Sequence, residues 1–118
     1  MLDHINLTVP NINETAKFYT DVLGFTVTGD FNTPSGRFLF VSKDGVTYEI
    51  LENATLTAAT VGHIALKSTD IEADYQALKA QNAKLLGPVK QIDFIFNGAK
   101  FFFVESPSGE QVEYIQLL

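Results

Sequence analysis

The 118-residue chain carries eight basic and fourteen acidic side chains and no cysteine. A net charge of −6 argues against nucleic-acid phosphates and anionic membranes as partners, and the missing thiols exclude disulfide frameworks, thiolate metal sites and cysteine nucleophiles. With 46% apolar and 19% charged residues, it fits one globular domain over residues 1–118. With no bilayer-length apolar run and no leader-like N-terminus, a cytoplasmic setting is expected.

Residues 3–9 alternate and read as a strand. A helix is expected over 12–23 from Ile12, Ala16, Tyr19 and Leu23, with Asn11 and Glu14 at its start and Gly24 at its stop. Strands follow at 25–30, 37–42 and 45–52, the last two joined by a turn at Lys43, Asp44 and Gly45. Residues 53–60 are polar and small and read as a linker. A second set then begins. Residues 61–67 form a strand, and 70–82 form a helix with Thr69 and Glu72 spaced as a capping box. Strands are expected near 84–90, 99–105 and 110–117, with a turn at Ser106 to Gly109. Residues 91–98 are open between a strand extension and an apolar flap built on Phe94 and Phe96.

The second set repeats the first. His4 and His63 are 59 positions apart, as are Ile12 and Ile71. Phe40-Val41 matches Phe103-Val104 at an offset of 63, and Glu49 matches Glu113 at 64. The offset grows through insertions and never reverses, as a duplicated unit behaves. The expected architecture is α+β, with two tandem βαβββ units at about 1–54 and 61–118 forming a cupped mixed sheet. The helices would cover its convex face.

Strand alternation sorts the chemistry onto one face. Ile5, Leu7, Val9, Tyr48 and Ile50, with Ile64, Leu66, Val112 and Tyr114, share the face expected to meet the helices. His4, Asn6 and Thr8 point the other way, with Glu49, His63, Lys67 and Glu113. A carboxylate on an inward strand position is costly unless paired or metal-bound. The chain's two histidines occupy one repeat position, and its last strand in each repeat brings a glutamate. Two imidazoles and two carboxylates suit a five- or six-coordinate divalent ion such as Ni, Co, Zn, Mn or Fe. The alternating Phe38, Phe40, Phe101 and Phe103 read first as core packing, with lining of the site as the other option.

Asp3-His4-Ile5, the run Phe18 to Phe25, Tyr48-Glu49-Ile50, Gly62-His63-Ile64-Ala65 and Phe103 to Gly109 leading to Glu113 resemble the vicinal oxygen chelate superfamily. That superfamily includes glyoxalase I, methylmalonyl-CoA epimerases, extradiol dioxygenases, fosfomycin-resistance proteins and bleomycin-binding proteins. The ligand order His, Glu, His, Glu is most similar to glyoxalase I. The resemblance implies one divalent metal ion on His4, Glu49, His63 and Glu113, and isomerisation of a 2-oxoaldehyde–thiol hemithioacetal to a thioester. It implies Glu113 as the base, Glu49 as its symmetric alternative, a small-molecule substrate and a homodimer. Asn53 matches an Asn that glutathione-using relatives carry, whereas Thr8 stands where they carry Arg. Arg37 is the only Arg in the chain, and Lys67 is the cation that would substitute at the site face. The other readings are an antibiotic-type binding protein without catalysis, or a dioxygenase or thiol transferase of the same fold.

Overall fold

Asn11 and Asp70 open the two helices. Each holds an extended backbone, and each side-chain oxygen accepts a first-turn N–H, from Glu14 for Asn11 and from Ala73 for Asp70. The capping box expected on Thr69 and Glu72 is replaced by a simple cap one residue later, where the Ala73 methyl cannot reciprocate. Asp70 takes the cap, and Thr69 instead offers its carbonyl to Gln116. The structure, a computed structural model, describes residues 1–118.

The chain divides into two compact units, His4–Gly62 and His63–Leu118 with Met1–Asp3. In the first, β1 (Leu2–Val9) leads to α1 (Ile12–Lys17), then β2 (Thr26–Thr33), β3 (Gly36–Lys43) and β4 (Val46–Glu52). These strands lie in the order β2-β3-β4-β1. β1 and β4 run parallel, while β2, β3 and β4 pair antiparallel in sequence. In the second, β5 (Thr60–Lys67) leads to α2 (Ile71–Ala80), then β6 (Lys84–Leu85), β7 (Lys90–Ile92), β8 (Ala99–Glu105) and β9 (Gln111–Leu117). Their order is β5-β9-β8-β6, with β7 also on β8. β5 and β9 are parallel, and the remaining pairs are antiparallel. Each unit is therefore a mixed sheet with one helix, and the fold class is α+β as expected.

Two elements depart from the reading by periodicity. The helix expected over 12–23 is α-helical only to Lys17. Phe18–Val22 form one wide π turn, in which Leu23 N–H reaches the Phe18 carbonyl at 3.1 Å. The strand expected over 84–90 is two short pieces. Gly87 sits at φ +113° and Pro88 lacks an N–H, so the ladder breaks between them. Residues 91–98 are neither one strand nor one flap. β7 takes the first two, Ile95 is buried, and Phe96 lies exposed at φ +46°.

The apolar strand faces meet the helices. In the first unit Val9, Leu39, Val41 and Ile50 bury with Ile12 of α1, flanked by Tyr19, Phe25 and Tyr48. In the second, Phe102 stacks on Tyr114 at 5.0 Å and takes the edge of Tyr75 from α2 at 5.1 Å. Each such side chain removed from water contributes about 1.5–3 kcal/mol. The opposite strand positions carry the buried polar residues beside apolar ones such as Phe40 and Ala65.

Candidate metal centre

His4 and Glu49 come together inside the first unit. β1 and β4 are adjacent parallel strands, so residues on one face of each stand side by side. Nε2 of His4 is 3.7 Å from Oε1 of Glu49. Both side chains are buried, His4 at 1% exposure and Glu49 at 6%. β3 supplies Phe40, whose Cα lies opposite Glu49 and whose ring meets the His4 ring edge-on at 5.9 Å.

His63 and Glu113 repeat this arrangement inside the second unit. Parallel β5 and β9 set them side by side, with Nε2 of His63 3.3 Å from Oε1 of Glu113. Glu113 is buried at 7% exposure. Phe103 of β8 lies opposite Glu113, and its ring meets His63 edge-on at 5.1 Å. The two phenylalanines read first as core packing therefore each wall a histidine. Phe40 is buried as well, so it serves both uses.

A buried carboxylate beside an imidazole, twice, is a donor set that could hold a divalent cation. Each carboxylate brings charge that burial penalises and a bound cation would neutralise. Each imidazole brings a neutral nitrogen ligand. The aromatic walls lower the local dielectric and strengthen that attraction.

The first pair has a further partner that strand alternation alone does not reveal. Asn6 sits opposite Glu49 in the β1–β4 register and is buried at 2% exposure. Its Nδ2 donates to Oε1 of Glu49 at 2.9 Å, and its Oδ1 accepts from the Thr8 hydroxyl at 3.0 Å. Alternation places Asn6 on the ligand face, but only the strand register shows which carboxylate it meets.

The residues expected to touch substrate have separate surroundings. Thr8 borders a cleft of about 480 Å³ with Ile12, Asn13, Arg37, Leu51 and Glu52. Arg37 is engaged there. Its fork donates to both Asp30 oxygens at 2.9 and 3.0 Å, and its remaining nitrogen donates to Asn13. Those hydrogen bonds hold the Asp30 carboxyl below its ordinary range and raise the Arg37 guanidinium. Glu52 accepts the Ile12 N–H that opens α1. The Asn53 side-chain oxygen accepts from the Thr55 N–H and hydroxyl, closing the turn after β4. Lys67 lies exposed at the end of β5, its backbone N–H on the Met1 carbonyl.

The model of the glyoxalase/bleomycin resistance protein/dioxygenase superfamily matches residues 1–114. The chain belongs to that superfamily. Among relatives of this superfamily member, the uncharacterized protein YwbC of Bacillus subtilis (strain 168) is 31% identical over 123 residues, covering 98% of this chain and 96% of its own. The lactoylglutathione lyase of Haemophilus influenzae is 28% identical over 126 residues, covering 96% of this chain and 90% of its own. Among solved structures, methylmalonyl-CoA epimerase from Mycobacterium tuberculosis superposes with a TM-score of 0.83 at 15% identity, over 99% of this chain and 87% of that one. That likeness concerns the fold. No helix is long and apolar enough to cross a membrane.

Proposed function

We propose that this superfamily member is a metal-dependent lyase of the glyoxalase I kind, acting on the hemithioacetal of a 2-oxoaldehyde and a small thiol. The observation that carries the reading is the duplicated, buried His–Glu pair, His4 with Glu49 and His63 with Glu113. The reading assigns these four side chains to one divalent ion of the Ni, Co, Zn, Mn or Fe group. The lactoylglutathione lyases among the relatives support the reaction class. A homodimer in the cytoplasm is part of the same proposal.

When bound, the ion supplies Lewis acidity to two neighbouring substrate oxygens. The chain's own residues do the rest. The Glu113 carboxylate takes the proton from the carbon bearing sulfur, and the electron pair becomes the carbon–carbon double bond of an enediolate. The same carboxylic acid returns the proton to the adjacent carbon, and the hydroxyl proton of the first carbon passes to the neighbouring oxygen, leaving a thioester of a 2-hydroxy acid. Glu49 serves as the matching carboxylate of the first repeat. Phe40 and Phe103 exclude water beside the two histidines.

The thiol is not expected to be one read through paired carboxylates. Thr8 stands where relatives using glutathione carry Arg, and the only Arg is engaged with Asp30. A panel of hemithioacetals built from neutral and carboxylated thiols, assayed with each divalent ion, tests the proposal. Turnover with a neutral thiol, reduced about 10²–10⁴-fold in Glu113→Gln, is the expected result. Metal-loaded protein that turns over no hemithioacetal would overturn it, as would full activity in Glu113→Gln.

A further inference from the structure

The two repeats place a carboxylate at the same register, but they do not treat it alike. Asn6 faces Glu49 across β1 and β4, while Ala65, 59 positions later, faces Glu113 across β5 and β9. Alanine has no side-chain donor, so position 65 cannot supply what position 6 supplies.

We infer that Asn6, locked by Thr8 and Gly62, is a positioning residue that makes Glu49 the immobile carboxylate of the pair. The inference rests on the metal-centre reading above and extends it. Three features carry it. Asn6 is buried and uses both ends of its amide, Nδ2 on Glu49 and Oδ1 on the Thr8 hydroxyl. Its orientation is therefore set by the network, since a flipped amide would turn an acceptor toward a carboxylate. Gly62 then closes the space around that oxygen. A Cβ at Gly62 would stand 2.3 Å from Oδ1 of Asn6, 3.2 Å from its Cγ and 3.7 Å from the Thr8 hydroxyl oxygen. Gly62 has no left-handed backbone to justify it, so room for Asn6 is the reason for glycine before His63.

The consequence is a division of labour between matched glutamates. A carboxylate with one oxygen held by a buried amide keeps its plane and presents a constant ligand, as outer partners of ligands do. The matched position in the second repeat, Ala65, cannot hold Glu113 through an amide, so any support for that carboxylate comes from other groups. Thr8 borders the 480 Å³ cleft as well as holding Asn6. A substrate group that competes for its hydroxyl would disturb the Glu49 carboxylate through two hydrogen bonds.

The test uses Co²⁺ binding, followed by its visible absorption and by titration, in the parent and in Asn6→Leu, Thr8→Val and Gly62→Ala. Asn6→Leu keeps volume and removes the amide. Gly62→Ala keeps every hydrogen-bonding group and displaces the amide. Both are expected to weaken Co²⁺ binding about 10–100-fold and to alter the absorption, with Thr8→Val changing both in the same direction but less. Because Gly62 acts through Asn6, Asn6→Ala combined with Gly62→Ala should bind no more weakly than Asn6→Ala alone. Thr8→Val changes only a half-buried hydroxyl, so it reports even where a core variant fails to fold. Parent-like affinity and spectrum in all three variants would overturn the positioning role while leaving the metal centre standing. A parent protein that takes up no Co²⁺ would remove the metal-centre reading itself, and this inference with it.

Discussion

At the scale of single residues, charge on this molecule is largely committed. Arg37 grips Asp30 with two hydrogen bonds and Asn13 with a third. The Asp30 pKa is lowered chiefly by those bonds. A carboxyl depressed on folding adds stability above its unfolded pKa and loses it as the pH falls through the folded value. Stability should therefore decline in acid below about pH 4, and Arg37→Gln should flatten part of that decline. Urea unfolding of both proteins between pH 3 and 6 would show it, and parallel curves for the two would contradict it. The pair is partly exposed, so the effect is small. Asn6 shows the limit of reading residues from sequence. Its place on the ligand face follows from alternation, but its partner depends on β1 and β4 pairing in parallel, which no local pattern specifies.

At the scale of elements, periodicity served best where a strand or helix keeps one environment throughout. β8 and β9 match their expected spans closely, as short apolar-rich runs separated by the turn at Ser106 to Gly109. The helix after β1 runs through Val22 close to its expected end, but its change to a π turn is not legible, because Tyr19 and Leu23 keep helical spacing and a one-residue widening leaves little trace in an apolar pattern. The strand over 84–90 was over-read, since its Gly-Pro break was visible but outweighed by the apolar neighbours. Alternation also makes a paired prediction in β8. Phe102 faces α2 and Phe103 faces His63. Phe102→Ala should cost about 3–5 kcal/mol of stability, while Phe103→Leu should cost little stability and chiefly change metal binding. Denaturant unfolding beside metal titration separates the two, and a reversal of the two phenotypes would mean that the face assignment is wrong.

At the scale of the whole molecule, the duplication explains both the fold and the donor set. A repeat of strand, helix and three strands, the first of the three broken in two in the second unit, gives each unit one parallel strand pair, and that pair sets a histidine beside a glutamate. The offset of the two histidines was readable because duplicated chemistry is preserved in register even where the helices have drifted. The copies differ visibly at matched positions, Asn6 against Ala65 and Gly62 against Asp3, but what those differences do depends on contacts made only in the folded strands. Membership in the glyoxalase/bleomycin resistance protein/dioxygenase superfamily gives the frame, and the side chains on the ligand face must give the chemistry. Elemental analysis of the purified protein beside His4→Ala tests the central claim most directly. The account predicts about one equivalent of Ni, Co, Zn, Mn or Fe per chain in the parent and its loss in the variant. A parent protein that carries no such metal, and takes none up when these ions are added, would contradict it.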